Sequence, residues 1–236
     1  MADPTSLTSG SSATDAASYD TASITPSANA LVLVAVISSK ANPPSAAPTL
    51  SGNGLTFVEI TTVTWSSIAT PTRRVTLFRA MGASPSAGAI TIDFGGTTQT
   101  NCLWSVVQYT TADTTGTNGS GAIVQSATNA ANSANGLTVT LAAFGDTVNN
   151  WAYGCFSKND IETIDPGAGF TEFHEAAVLS PANQLQAEWK LGEDTSVDVT
   201  HTGTARNYGG IAVEVKAAAG GAAVQRAKLA LLGVGV

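Results

Sequence analysis

Charged side chains are scarce in this chain of 236 residues, since Asp, Glu, Lys and Arg make up 11% of it. Average soluble domains carry about a quarter charged residues. The surface must therefore consist largely of Thr, Ser, Asn and Gln, as in rigid, neutral extracellular or virion β-proteins. Lys and Arg total 10 against 17 Asp and Glu, and their largest cluster is the pair Arg73 and Arg74. Because nucleic-acid binding needs several cations on one surface, we expect no nucleic-acid partner.

Long hydrophobic runs are also lacking. The longest, ALVLVAVI at residues 30–37, is far shorter than the ~20 residues that span a bilayer, so we expect no membrane partner. Turn-forming residues flank this run on both sides, which predicts a strand buried on both faces. The first residues, MADPTSLTSGSS, have neither a basic region nor an apolar region. We therefore expect no signal peptide.

Histidine and cysteine each occur only twice. Cys102 and Cys155 lie in apolar, strand-like runs and are interpreted as buried thiols. Whether they pair stays open, because spacing alone does not place two backbones within bridging distance. His174 and His201 match no zinc-binding spacing. We expect no metal and no cofactor.

The most suggestive titratable cluster is FTEFHEAAV, residues 170–178. In a regular strand, Glu172 and His174 would share one face, and Phe173 and Glu175 the other. A carboxylate beside an imidazole can act in acid–base catalysis, but an exposed edge strand explains the same pattern and is favoured here.

Two other segments raise chemical alternatives. Glu188 and Glu193 flank Trp189 in the sequence, which suggests a sugar platform with the two carboxylates of a glycosidase. In a regular strand, however, Glu188 points away from Trp189, and Glu193 falls in the following turn. The loop at residues 113–121, DTTGTNGSG, is rich in oxygen atoms but lacks the calcium-loop order. A plain hairpin loop is favoured. We expect no catalytic residue and no enzymatic activity.

Alternation of apolar and polar residues recurs along the whole chain, separated by Gly-, Asn-, Pro- and Ser-rich turns. This pattern predicts an all-β protein, a single antiparallel β-sandwich with a jelly-roll-like topology. The predicted organisation is an N-terminal arm at 1–22, the sandwich at 23–216 and a C-terminal docking tail at 217–236. One continuous core between two sheets is expected to contain Ile24, Leu31, Leu33, Val75, Leu77, Ile90, Ile92, Trp104, Val106, Leu137, Val139 and Ile211.

The chain has four tryptophans. Trp104 and Trp151 lie in apolar runs and are expected in the core. Trp65 and Trp189 have more polar neighbours and are candidates for exposed platforms that stack on a sugar. Carbohydrate is therefore an open alternative partner.

The last residues, AAAGGAAVQRAKLALLGVGV, differ from the rest of the chain. Gly220 and Gly221 form a flexible joint, and the apolar residues that follow would expose a contiguous patch if they stayed free. Folding of the tail back onto its own sandwich is the alternative, but we favour docking on a neighbouring subunit. The residues expected to bind the partner are Val224, Arg226, Lys228, Leu229, Leu231, Leu232, Val234 and Val236.

The phrases GNGLTFVEI, RRVTLFRAMGASPSAGAITIDFGG, GTNGSGAIVQSATN and IAVEVKAA resemble a group of β-rich proteins of tailed bacteriophages and prophages. This resemblance covers roughly residues 5 to 217 and carries over no active-site residue. It implies a structural virion protein, and we favour an exterior capsid protein that decorates or cements the shell. Its expected partners are further copies of itself, in a small homo-oligomer, and other capsid proteins. A carbohydrate- or receptor-binding module of a phage fibre or tail is the alternative.

Overall fold

The computed structural model describes residues 2–40, 46–66 and 72–219, which fold into antiparallel β-sheets. These residues form sixteen strands and one turn of 3-10 helix, Ser120–Ala122. The first eight strands are β1 (Thr5–Ser12), β2 (Ser18–Asp20), β3 (Leu31–Ser39), β4 (Thr49–Gly52), β5 (Val58–Trp65), β6 (Arg73–Ala80), β7 (Ile90–Asp93) and β8 (Asn101–Tyr109). The second eight are β9 (Ile123–Ala134), β10 (Gly136–Thr140), β11 (Trp151–Lys158), β12 (Asp165–Pro166), β13 (Thr171–Leu179), β14 (Ala182–Leu191), β15 (Ser196–Thr200) and β16 (Arg206–Val215). The predicted all-β sandwich fold is confirmed.

The two sets of eight strands have the same arrangement. In the first half, the inner sheet has the order β1-β8-β3-β6-β5 and the outer sheet the order β2-β7-β4. In the second half, the inner sheet runs β9-β16-β11-β14-β13 and the outer sheet β10-β15-β12. Adding eight to each strand number of the first half gives the second half. The loop at residues 110–122 joins these two equivalent halves, so it is not the hairpin loop that the sequence predicts.

The fifth strand departs from a jelly roll in both halves. In an eight-stranded jelly roll the fifth strand pairs with the fourth. Here β5 pairs with β6, and β13 with β14, so each extends an inner sheet. The jelly-roll topology is therefore not confirmed.

The halves pack with their inner sheets face to face. Strand β1 lies against β13, and the equivalent strand β9 lies against β5. Likewise β8 contacts β13, as β16 contacts β5. Each contact thus occurs twice with its partners exchanged, which is the pattern of an interface with two-fold symmetry. The stack has four layers: outer sheet, inner sheet, inner sheet and outer sheet.

All twelve residues predicted in the core are buried, but they do not form one core. A central cluster between the inner sheets holds Leu31, Leu33, Val75, Leu77 and Ile211. The first half's own cluster holds Ile24, Ile90, Ile92, Trp104 and Val106, and the second half's holds Leu137 and Val139. The expectation of a single core is wrong because each inner sheet is covered on both faces.

Burial on both faces explains the apolar run in β3. Every residue of this strand is buried, as the sequence predicts. Leu31 and Leu33 point into the central cluster, whereas Val32 and Val34 point into the outer one. Strands β8 and β11 are buried along their whole length for the same reason.

The predicted N-terminal arm and the start of the predicted tail belong to the sheets. Strand β1 pairs with β8, and β2 pairs with β7, so residues 5–20 are mostly part of the first half. The polar side chains of β1 lie at exposed or partly exposed positions, because β1 is an edge strand. At the other end, Ala217 forms a bridge with Ala112, and the Ala218 amide donates to the Thr111 carbonyl. The body therefore extends to Ala219.

Candidate functional site

A cavity with a volume of about 670 Å³ lies at one end of the second half. Its lining residues come from three segments: 120–124 before and within the start of β9, 145–150 in the loop after β10, and 214–219 at the end of β16. Ile123, Val124 and Ala217 supply apolar surface. The last described residue, Ala219, is part of the wall. The described part of the chain therefore ends at this cavity.

Hydrogen bonds fix the polar wall of the cavity. The buried carboxylate of Glu214 accepts a hydrogen bond from Asn150 Nδ2 at 2.6 Å and one from Gln125 Nε2 at 2.7 Å. The Ala217 amide donates to Asn150 Oδ1 at 3.0 Å. The Lys216 amide donates to the Ala122 carbonyl at 2.8 Å. These bonds hold the end of β16 against the other two segments, so the cavity is preformed.

Two further charged groups stand at the cavity. Lys216 Nζ lies 2.7 Å from Asp113 Oδ2. Hydrogen bonds from Lys216 and Thr115 lower the pKa of Asp113 to about 2. Asp146, on the loop of the cavity, accepts hydrogen bonds from Asn149 Nδ2 at 2.8 Å and from the Asn149 amide at 3.0 Å. These bonds lower its pKa, so its carboxylate is ionised at neutral pH.

Two exposed valines add apolar surface here, Val124 in the cavity wall and Val148 in the adjoining loop. The side chain of Val124 is 49% exposed and that of Val148, in the loop of the cavity, is 67% exposed. Only five large hydrophobic residues of the described part of the chain are exposed, and two of them lie here. The cavity combines preformed apolar surface with ionised Asp146, an arrangement suited to binding.

The structure separates Glu172 from His174. A β-bulge places both Phe173 and His174 opposite Ala187, so these two side chains face the central core. Glu172 pairs with Glu188 on the other face of the sheet. The expected faces are therefore wrong, because one extra residue in the strand shifts the alternation.

His174 has a structural environment. Its Nε2 atom lies 3.2 Å from the Thr8 carbonyl of β1, to which it donates a hydrogen bond. Burial lowers its pKa, so the ring is neutral at neutral pH. His201 is also buried, and its Nδ1 atom lies 2.5 Å from the Tyr208 hydroxyl. Both imidazoles thus tie segments of the fold together.

Neither tryptophan candidate offers a free stacking surface. Trp65 is 3% exposed because its indole ring packs against the backbone of Gly209, which makes the expectation of an exposed platform wrong. Trp189 is half-buried and lies with its ring centroid 6.2 Å from that of Phe173. Both rings belong to the packing around the central core.

The cysteines are unpaired and buried. Cys102 faces the first half's outer cluster, whereas Cys155 faces the central cluster. A sheet thus separates their environments. Burial raises the pKa of Cys102 above its usual range and that of Cys155 to about 12, so both thiols stay protonated.

The remaining sequence candidates have structural partners. Glu188 is buried and accepts a hydrogen bond from the Gly167 amide at 3.0 Å, whereas Glu193 accepts one from the Phe144 amide at 2.9 Å. The loop at residues 113–121 uses its aspartate for the ion pair with Lys216. Across 2–40, 46–66 and 72–219, no group of three or more His, Cys, Asp or Glu residues is placed to hold a metal ion. No helix in these ranges is long and apolar enough to cross a membrane.

The residues predicted to bind a partner, Val224 to Val236, lie outside the described residues. The cavity was not predictable from the sequence because its walls come from segments almost a hundred residues apart. No family model matches the chain, and no curated protein or solved structure matches it either.

Proposed function

We propose that the protein is a non-enzymatic structural subunit of a virus particle, an exterior capsid protein that decorates or cements the shell. Residues 220–236 attach it to a neighbouring subunit. The observation that supports this proposal is the position of Ala219, the last described residue, in the wall of a cavity that also holds exposed Val124 and lies beside exposed Val148. The segment that follows is rich in apolar side chains, which need a surface to cover them.

The arrangement of the body supports a structural role. Its two inner sheets place their edge strands against each other, β1 beside β13 and β5 beside β9. Exposed sheet edges promote unspecific pairing between copies. Contact between these edge strands leaves less of each edge open to such pairing, which suits a subunit that reaches a high local concentration on a shell.

Composition and resemblance point the same way. The chain has few charges and resembles β-rich virion proteins of tailed phages over roughly residues 5 to 217. A virion location and assembly in the host cytoplasm follow from that resemblance. Carbohydrate binding is not favoured, because Trp65 is buried and Trp189 packs on Phe173.

The test compares particles formed with the full chain and with a chain lacking residues 220–236. Particles from the producing culture are banded by density, and the protein in the band is quantified by mass spectrometry. We expect the full chain in the particle band and the truncated chain in the soluble fraction. A control chain carries a Gly/Ser segment of equal length in place of 220–236 and should behave like the truncation.

The deleted residues 220–236 follow the last described strand, so we expect the truncated chain to keep its β-structure. Circular dichroism checks this. Equal amounts of full-length and truncated protein in the particle band would overturn attachment through this segment. Absence of the full chain from all particles would overturn the virion role.

A further inference from the structure

We infer that the cavity at the end of the second half receives residues 222–236 of a second copy, so that two copies exchange their C-terminal segments. This inference deepens the proposed function and rests on its use of residues 220–236 for attachment. It adds the surface that receives the segment and identifies the partner as the same chain.

The first observation that supports the inference is the position of Ala219. Ala219 belongs to the cavity wall, so the segment starts where the cavity opens. Fifteen residues, 222–236, reach about 50 Å when extended. When two copies meet with these cavities facing each other across a two-fold axis, each segment needs to cross only the interface.

Charge carries the second step. Residues 220–236 contain Arg226 and Lys228 and no acidic residue, whereas the rest of the chain has eight basic residues against seventeen acidic ones. The ammonium of Lys216 is held by Asp113. Asp146 forms no ion pair with the cations of the described ranges and is ionised. It can therefore receive a cation of the incoming segment at the edge of the contact.

Apolar complementarity carries the third step. The volume of about 670 Å³ is within the range of about 300–1,000 Å³ that is typical of binding cavities. Exposed Val124 belongs to the cavity wall, and exposed Val148 extends the apolar surface beyond the cavity. A two-fold pair buries both valines of both copies together with the leucines of the segment, whereas a segment folded on its own body leaves its outer side in water.

Two variants give a complementation test. A chain lacking residues 220–236 keeps the cavity and loses the segment, whereas Val124→Asp keeps the segment and places a charge in the cavity. In sedimentation velocity, we expect the full chain to form dimers and each variant alone to stay monomeric. An equimolar mixture of the two variants should form dimers again, because one intact segment meets one intact cavity.

Leu179→Asp is the matched control, since Leu179 is 75% exposed and lies at the end of β13, away from the cavity. This variant should dimerise like the full chain. If Val124→Asp does not fold, Val148→Asp replaces it in the mixture. A monomeric full chain, a dimeric truncated chain or a mixture that stays monomeric would each overturn the inference. Tail-dependent entry into particles by a chain that is monomeric in solution would overturn it and leave the proposed function standing.

Discussion

Replacing Glu188 by glutamine should stabilise the protein above neutral pH. The carboxyl group is fully buried on the face of β14 that is turned toward the second half's outer sheet. Its Oε2 atom accepts hydrogen bonds from the Gly167 amide and Gln186 Nε2, whereas Oε1 has no partner. Burial raises its pKa to about 8 from an ordinary value of 4.5, because the charged form loses its hydration.

The magnitude follows from the two pKa values. As the pH rises, the unfolded chain releases this proton near pH 4.5, before the folded protein does. Stability is therefore unaffected below about pH 4.5, falls up to about pH 8 and then stays low. At about 1.4 kcal/mol per pH unit, the full cost is on the order of 5 kcal/mol. Glutamine has a similar shape and no ionisation, so it removes this cost.

Urea unfolding followed by tryptophan fluorescence, between about pH 5.5 and about pH 9, measures the effect. The free energy of unfolding of Glu188→Gln should exceed that of the wild type by an amount that grows with pH and levels off above about pH 8. Glu59→Gln, on the exposed face of β5, should show no such trend. If the difference in free energy of unfolding between Glu188→Gln and the wild type does not change with pH, the interpretation that the buried carboxyl group resists ionisation is refuted.

Two further predictions concern packing and acid stability. Gly209→Ala should destabilise the protein by about 1–3 kcal/mol, because the added Cβ would lie 2.2 Å from Trp65 Cδ1, whereas Gly145→Ala meets no atom within 4 Å and should be neutral in the same urea unfolding assay. Asp113→Asn should reduce the loss of stability on acidification. The ionised Asp113 of the wild type stabilises the folded protein above about pH 3.8, and this contribution is lost as the pH falls toward the lowered pKa of about 2. Equal acid unfolding curves for variant and wild type would contradict the role of its ion pair with Lys216.

Strand positions and burial were predictable from this sequence because the signals are local. The run in β3 has no polar residue between Leu31 and Ile37, which is typical of a strand covered on both faces. Alternation in LTVTLAA correctly placed Leu137 and Val139 inside. How the buried residues divide among three clusters depends on which sheet covers each face, and a local pattern does not contain that information.

The equivalence of the two halves has a short counterpart in the sequence. GNGLT at residues 52–56 and GAGFT at residues 167–171 precede β5 and β13, which are equivalent strands of the two halves. Both strands also carry a bulge, near Ile60 and at Phe173. A search for internal repeats would have found the short motif, although its five residues alone would not establish sixteen strands.

The candidate site was less predictable than the fold. The bulge that separates Glu172 from His174 depends on pairing with β14, so counting every second residue gave the wrong faces. The burial of Trp65 depends on Gly209, from the other half of the chain, whose missing side chain makes room for the ring. Contacts of this kind arise only when the halves pack together.

Crosslinking of isotope-mixed protein tests the central claim most directly, that residues 220–236 reach a neighbouring subunit. Full-length chains with ¹⁴N and with ¹⁵N are unfolded together, refolded as a mixture and treated with an amine-specific crosslinker. If the segments are exchanged, Lys228 of one copy lies near Lys216 at the cavity of the other copy. We predict that crosslinked peptides joining Lys228 to Lys216 include pairs with one light and one heavy partner. Pairs of a single isotope only would show that the segment docks on its own chain and would contradict the claim.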